Sequence, residues 1–299
     1  MRLRGPGVAG PSSPVRAGQG RLKGDSVGLL SPTGRTRNRR LLPKSIVVVC
    51  CVALLSGFTG CADDGTGAAT DPVPASSAPP LALVYRGPGG CPSCSAAAAT
   101  LVQSTRWGFQ VRYVGPDEQL KLTAANLRKA ALYVQPGGDG TLEQAFTALR
   151  SESGAIRHYV SSGGRYLGLC MGGYLAGHDP GFNLLPGDAD QFITSNNASV
   201  TSADDTVIKV NWRSGPRYLY FQDGPFFTLS DDGNTVQVLA TYTNGEIAAL
   251  VTDYQKGRVA VSGPHPEATD DWYQYNHVTD PDARDADLGR DLIDTLMRE

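Results

Sequence analysis

The chain has 299 residues, of which 27 are Lys or Arg and 29 are Asp or Glu, for a formal net charge of −2. The first 60 residues hold ten of the basic and one of the acidic residues, so the remaining chain keeps 17 basic and 28 acidic residues, a net charge of −11. A surface this acidic excludes nucleic acid as a partner and excludes electrostatic docking on anionic lipid.

Residues 1–60 predict an export segment rather than a folded domain. Ser45 to Gly60 form an apolar run of about 16 residues, which is short for a membrane span and typical of a signal-peptide core. The run ends in Phe58-Thr59-Gly60-Cys61, which resembles the cleavage and lipidation motif of bacterial lipoproteins. We therefore expect cleavage before Cys61, a lipid anchor on its sulfur and a location on the outer face of the cell membrane. A single membrane-anchoring helix is the alternative.

Residues 61–80 are rich in Asp, Thr, Ala, Ser and Pro and predict a disordered tether, and residues 81–299 predict one globular domain. Strand and helix signals alternate in the first part of this domain. The predicted strands are 81–85, 109–114, 131–135 and 165–169, and the predicted helices are 93–106, 123–129, 141–149 and 155–162. This alternation indicates a mostly parallel sheet with helices on both faces, which binds ligands at the carboxyl ends of its strands.

The rest of the domain is richer in strand signals. Residues 192–208, 217–229, 236–243, 247–253 and 258–262 predict strands, and residues 287–298 predict a closing amphipathic helix. The sequence therefore predicts an α/β fold with a mostly parallel central sheet and a β-rich C-terminal part.

The fourth predicted strand runs into Gly168-Leu169-Cys170-Met171-Gly172. Glycines two residues before and two after a nucleophile are typical of a sharp strand-to-helix turn that presents its side chain above the sheet. The start of the following helix favours the Cys170 thiolate over the thiol, and the Met171 N–H is placed to stabilise an oxyanion. The alternative is that Cys170 is a small buried apolar side chain beside a Gly-rich turn.

A second motif, Ser262-Gly-Pro-His-Pro-Glu267, places a histidine and a carboxylate just after the last predicted strand. Cysteine, histidine and an orienting acid are the groups that nucleophilic catalysis requires. The Pro-Gly-Gly turn after the third strand offers a second oxyanion N–H, at Gly137 or Gly138, although it is also compatible with a plain turn.

Cys91 and Cys94 follow the first strand and open a helix. A structural disulfide that pins the first loop is the favoured interpretation, and it leaves Cys170 as the free thiol. A redox pair and a metal site are the alternatives, although no second ligand pair has suitable spacing for a metal. In the segment YFQDGP, Tyr220 and Asp223 are candidates for substrate binding, where Asp223 either meets a substrate amine or simply forms a turn before Gly224.

Five segments together resemble a known family. They are VYRGPGG at 84–90, VQPGGDG at 134–140, GRYLGLCMGGY at 164–174, YFQDGP at 220–225 and SGPHPE at 262–267. The resemblance is to the biotin-protein-ligase N-terminal domain family of the class I glutamine amidotransferase-like superfamily, from about residue 81 to the end. It implies a flavodoxin-like three-layer sandwich. It also implies a Cys170 nucleophile, a His265 base and acid oriented by Glu267, and oxyanion donors at Met171 and at Gly137 or Gly138.

We therefore expect a cysteine amidohydrolase or amidotransferase-like lipoprotein that attacks a small-molecule or peptide amide through a thioester, without a cofactor or metal. A non-catalytic lipoprotein that retains the fold and binds a ligand or partner is the first alternative, and a thiol-disulfide protein using Cys91 and Cys94 is the second. Biotin-ligase activity is not expected, because the sequence ends with this domain. The sequence does not indicate the substrate or the oligomeric state.

Overall fold

The structure is a computed structural model that describes residues 78–178, 180–213, 215–230 and 233–298. The expected export segment, the expected lipidation site at Cys61 and the tether up to residue 77 lie outside these residues. Within the described ranges, no helix combines the length and the hydropathy that crossing a bilayer requires.

Eleven strands of the described chain form one sheet, which is parallel in its first half and antiparallel in its second. The strands are β1 (Leu81–Tyr85), β2 (Gln110–Val114), β3 (Leu132–Gln135), β4 (Arg165–Leu169), β5 (Ala189–Gln191), β6 (Thr206–Trp212), β7 (Gly215–Phe221), β8 (Pro225–Phe227), β9 (Val236–Tyr242), β10 (Ile247–Tyr254) and β11 (Gly257–Ser262). Their order is β2-β1-β3-β4-β11-β10-β9-β6-β7, and β8 pairs with β10 and with β5. The neighbouring strands along β2-β1-β3-β4-β11 are all parallel to one another, and β11 pairs antiparallel with β10.

Helices lie between the parallel strands and at the C-terminus. They are α1 (Pro92–Gln103), α2 (Ala124–Leu127), α3 (Leu142–Leu149), α4 (Ser153–Ser161), α5 (Met171–Ala176), α6 (Asp270–Tyr275) and α7 (Ala286–Met297). Local sequence explains several of their starts. Pro92 occupies the first turn of α1, where a missing N–H costs nothing, and Thr141 and Gln144 form a reciprocal capping box at the start of α3. The mixed α/β class with a β-rich C-terminal part is confirmed.

The two faces of β1 pack into two different clusters. Ala82 and Val84 pack in one apolar cluster with residues of α1 and α7, whereas Leu83 and Tyr85 pack in another with residues of α3 and α4. Because side chains alternate along a strand, a strand covered on both faces is apolar throughout. This explains why β1 appears as a continuous apolar run in the sequence.

The strand predicted over 192–208 is largely wrong. Phe192–Thr194 form a short 3-10 turn, and a strand begins only at β6. Phe192 is apolar because its ring stacks on Tyr242, with 3.8 Å between centroids, and not because it belongs to a strand. Asn197 adopts a positive φ of 56°, which a strand does not tolerate. The short elements β5 and α6 were not predicted, since three and six residues are too few to show a periodicity.

Candidate active site

A cavity of about 920 Å³ opens where the carboxyl ends of β3 and β4 and the loop after β11 meet the turns of the antiparallel half. Most of the residues singled out from the sequence line it. They are Cys91, Cys94, Gly138, Cys170, Met171, Tyr220, Asp223 and His265. Gly137 and Glu267 stand directly behind this lining, in contact with His265. The fold therefore brings together residues from five separate segments.

Cys170 occupies a sharp turn between the end of β4 and the start of α5. Its backbone has a φ of 49° and a ψ of −106°, a conformation that is uncommon for any residue other than glycine. Surrounding hydrogen bonds hold it there, because its N–H donates to the Ser262 carbonyl at 2.8 Å and its own carbonyl accepts from the Gly173 N–H at 2.7 Å. Strain of about 1–3 kcal/mol at such a residue persists only where the surroundings impose it, and such residues cluster at functional sites.

The flanking glycines have a packing reason. A Cβ at Gly172 would lie 2.0 Å from the Gln135 carbonyl oxygen, and a Cβ at Gly168 would lie 2.3 Å from the Gly172 carbonyl oxygen. Both contacts are with backbone atoms, which cannot move aside as a side chain can. The tight turn that exposes the Cys170 sulfur to the cavity therefore requires glycine at both positions.

His265 reaches the same place from the neighbouring strand. β4 and β11 are parallel neighbours, with Leu169 opposite Ser262, so the residues that follow each strand emerge at the same edge of the sheet. The His265 N–H donates to the Tyr220 carbonyl at 2.9 Å. Its ring packs edge-to-face against Trp272, with 5.3 Å between centroids. The imidazole is thus fixed in position and only 3% exposed.

Glu267 orients the imidazole. Its Oε1 lies 2.8 Å from His265 Nδ1, and both side chains are buried. Burial lowers the pKa of His265, but the neighbouring Cys170 and the Glu267 carboxylate outweigh it and raise this pKa well above its ordinary value. A histidine held by a carboxylate beside a cysteine is the arrangement that nucleophilic catalysis uses.

Two residues of the cavity lining also have backbone N–H groups without a partner in the ranges that the structure describes. Within the described part of the chain, the N–H groups of Met171 and Gly138 make no hydrogen bond, and both residues line the cavity. Gly137 is packed more tightly: a Cβ there would lie 3.1 Å from His265 Cε1 and 3.2 Å from Cys94 Sγ. Met171 and Gly138 are therefore the candidate oxyanion donors that belong to the cavity lining itself.

Cys91 and Cys94 are joined by a disulfide at the rim of the cavity. The Cys91 N–H donates to the Gly137 carbonyl at 3.2 Å, so the bridged turn supports the glycine loop beside His265. Among the described residues, Cys170 is the free cysteine. No group of three or more His, Cys, Asp or Glu side chains in this part of the chain is arranged to hold a metal ion.

The antiparallel half supplies the opposite wall. Both carboxylate oxygens of Asp223 accept from Gln191 Nε2 at 2.9 Å, and the Asp223 carbonyl accepts from the Tyr174 hydroxyl at 3.0 Å. The Tyr220 hydroxyl contacts Asp205 and accepts from Asn276 Nδ2 at 2.6 Å. Sequence reasoning did not find Gln191, Asp205 or Asn276, because no motif marks them and only the fold brings them to the site.

Comparison with known proteins supports the resemblance seen in the motifs. Residues 81–191 match the family described as biotin-protein ligase, N terminal. The resemblance is confirmed over this segment. The matched segment contains Cys170 and the glycine-rich loops at 86–90 and 136–140, but it ends before His265 and Glu267.

Two curated relatives match part of the chain. The chain is 28% identical over 163 residues to a biotin–protein ligase of Schizosaccharomyces pombe, which covers 46% of this chain and 25% of the ligase. It is 30% identical over 134 residues to an uncharacterized protein of Chlamydia muridarum, which covers 38% of this chain and 51% of that protein. The chain thus spans a quarter of one relative and about half of the other.

Among solved structures, a glutamine amido transferase from Methylobacillus flagellatus is similar over 74% of this chain and 91% of its own. The identity is 15% and the TM-score is 0.42.

Proposed function

We propose that this protein is a cysteine-dependent amidase of the glutamine amidotransferase type, built on a flavodoxin-like three-layer sandwich. One observation carries the proposal. Cys170, held in a strained turn, opens into the same cavity as His265, whose Nδ1 lies 2.8 Å from the buried Glu267 carboxylate. A protein that only binds a ligand has no physical need for a strained thiol, a buried imidazole and an orienting acid together.

In the first half of the reaction, the Cys170 thiolate attacks the carbonyl carbon of a carboxamide. The tetrahedral oxyanion meets the N–H groups of Met171 and Gly138, and one such donor contributes about 10²–10³ in rate. The C–N bond then breaks, and the nitrogen leaves as ammonia or an amine with a proton supplied by the His265 imidazolium. A thioester on Cys170 remains.

In the second half, water attacks the thioester while neutral His265 accepts its proton. The C–S bond breaks, the acid product leaves and Cys170 returns as the thiolate beside the imidazolium. Glu267 keeps the Nδ1 proton in place throughout, so that Nε2 is the nitrogen available for proton transfer.

We also propose that the enzyme acts outside the cell as a lipoprotein. The apolar run before Cys61 and the small residues around that cysteine support export and lipidation, and residues 62–80 would then tether the domain to the membrane. Globomycin-sensitive processing of the full chain, lost in Cys61→Ala, would test this part separately.

The experiment for the catalytic proposal has two readouts. Iodoacetamide labelling of Cys170, followed by mass spectrometry, should be much faster than labelling of glutathione at acid pH, and His265→Ala should abolish this excess. Ammonia release from L-glutamine, L-glutaminamide, N-acetyl-L-glutamine and short peptide amides should depend on Cys170, with Cys170→Ala as the control. A Cys170 no more reactive than glutathione, unaffected by His265→Ala, would favour a binding protein instead.

A further inference from the structure

Apart from the His265 imidazolium, the charged side chains of the cavity wall are all acidic. Six carboxylate side chains line it, from both halves of the sheet, and among the residues that the structure describes no Lys or Arg does. The six are Asp139, Glu143, Asp190, Asp205, Asp223 and Asp271. Cys170 and His265 are buried and line the same cavity. These two residues identify the cavity as a candidate active site without reference to the acids.

The charge of these carboxylates is not neutralised within the fold. In the described ranges, none of the six forms a salt bridge with a Lys or Arg side chain. Their hydrogen bonds come from neutral groups, such as Gln191 Nε2 on Asp223 and the Tyr220 hydroxyl on Asp205. In a concave site with walls of low dielectric, such uncompensated charges concentrate cations and repel anions.

Two of the carboxylates, Asp223 and Asp190, are linked to the Cys170 sulfur through neighbouring groups. The Cys170 sulfur contacts the Gln222 carbonyl at 3.6 Å, and Asp223 is the next residue. The Tyr174 hydroxyl is affected by the same groups. Burial is the largest cause that raises its pKa, and the charges of Cys170, Asp223 and Asp190 raise this pKa further. A substrate whose carbonyl carbon reaches Cys170 therefore places its adjoining groups within the field of Asp223 and Asp190.

Aromatic side chains complete this environment. Trp272 and Tyr275 line the same cavity, and Tyr275 is 85% exposed at its edge. Aromatic faces attract ammonium groups, so acids and aromatics together are typical of sites that bind amines. A free carboxylate on the substrate would meet neither a Lys nor an Arg in this lining.

We infer that the substrate is a carboxamide that carries an ammonium or other cationic group near the scissile bond and no free carboxylate beside it. This inference rests on the proposed amidase function and narrows its substrate class. It separates the site from one built for free glutamine, whose carboxylate the acidic wall would repel. Amides in peptides with a free amino group, and amides of basic compounds, fit the wall.

A pair of thiol reagents with the same reactive group and head groups of opposite charge tests the inference directly. The cationic 2-(trimethylammonium)ethyl methanethiosulfonate and the anionic 2-sulfonatoethyl methanethiosulfonate both modify thiols. Their rates at Cys170 are measured by peptide mass spectrometry, and the ratio is divided by the ratio for 2-mercaptoethanol. We expect the normalised preference for the cation to be at least about tenfold at low salt and to shrink as salt rises.

Two isosteric variants separate the cavity from the general charge of the domain. Asp223→Asn should lower the normalised preference about threefold, whereas Asp117→Asn, which removes an equal charge from an exposed position outside the lining, should leave it unchanged. In the amide panel, the cation L-glutaminamide should show a higher kcat/KM than the anion N-acetyl-L-glutamine.

The outcomes distinguish this inference from the proposed function. A reactive Cys170 without a preference for the cationic reagent, or equal effects of Asp223→Asn and Asp117→Asn, would overturn the substrate class and leave the amidase intact. A preference for the cation at a Cys170 no more reactive than 2-mercaptoethanol would overturn the amidase and leave a site that binds cations.

Discussion

The parallel and antiparallel halves of the sheet contribute different things to the cavity. The parallel half, which consists of β2, β1, β3, β4 and β11, places Cys170, Gly138 and His265 where its strands end. The antiparallel half supplies Tyr220 and three of the six carboxylates, whereas the other three come from the loop after β3, from α3 and from α6. The groups that we propose to react thus come from the parallel half, whereas the acidic wall draws on both halves.

Burial explains this division. β3 and β4 are covered on both faces and almost fully buried, whereas β6 and β9 expose several of their residues. A strand held on both faces keeps the residue at its end in one position, which a nucleophile and its base require. In the proposed reaction, an acidic wall acts on the substrate through its field, so it tolerates more variation in position than a nucleophile and its base do.

The largest expected effect belongs to the parallel half. Cys170→Ala removes the nucleophile, so ammonia release should fall by about 10⁴-fold or more. In the antiparallel half, Asp223→Asn should act mainly on KM and keep kcat within about tenfold, because it touches the substrate away from the breaking bond. Steady-state kinetics of both variants with L-glutaminamide check this. A Cys170→Ala protein with undiminished turnover would remove the distinction between the halves.

Glu267→Gln tests how the imidazole is held. The amide cannot orient and stabilise the imidazolium as the carboxylate does, so kcat/KM should fall by about 10²–10⁴. The pKa of His265 should also fall toward its ordinary value, so the imidazolium should be lost at a lower pH than in the wild type. Folding stability gained from this imidazolium is present below the unfolded-state pKa of about 6.5 and is lost as pH rises through the folded-state pKa. Titration of the His265 ring by NMR measures the shift, and an unchanged titration would contradict the role of Glu267.

Gly172→Ala tests the packing of the nucleophile turn. The new Cβ would lie 2.0 Å from the Gln135 carbonyl oxygen, so the free energy of unfolding should fall by about 3 kcal/mol or more. Gly154→Ala in α4 is the matched control, because no described residue comes within 4 Å of a Cβ there. That change should stabilise the protein by about 0.5–1 kcal/mol. Urea unfolding measures both, and similar effects at the two glycines would refute the packing account.

The last comparison concerns two acids that share Arg217. Burial raises the pKa of Asp285 to about 8, even though Arg217 lies 3.0 Å away. A hydrogen bond from Arg217 lowers the pKa of Asp287. Because the folded-state pKa of Asp285 is raised, this group stabilises the fold below the unfolded-state pKa of about 3.9. The contribution is lost as pH rises through the folded-state pKa.

The free energy of unfolding of Asp285→Asn should therefore rise relative to that of the wild type as pH increases from about 5 to about 9. The effect of Asp287→Asn should stay constant over that range, because the lowered pKa acts only at more acid pH. Urea unfolding at several pH values provides the test. A constant difference for Asp285→Asn would show that Arg217 keeps its carboxylate ionised.

Much of the parallel half was predictable because its signals are local. The bounds of β1 and β4 match the prediction residue by residue, and the glycines around Cys170 mark the turn. The strand predicted over 192–208 failed because tertiary contacts, such as the stacking of Phe192 on Tyr242, explain its apolar residues. Helix α6, which brings Trp272 to the cavity, was missed because it is too short to show a period.

Local patterns in the sequence were enough to predict the turn at Cys170, the His265–Glu267 pair and the alternation of strands and helices, because each depends on residues that are close along the chain. The position of β11 beside β4, which brings His265 to Cys170 across about 95 positions of sequence, became known only from the fold. The fold alone gathered six carboxylates around one cavity. Pairing between distant strands depends on the packing of the whole sheet, and no local pattern of residues encodes it.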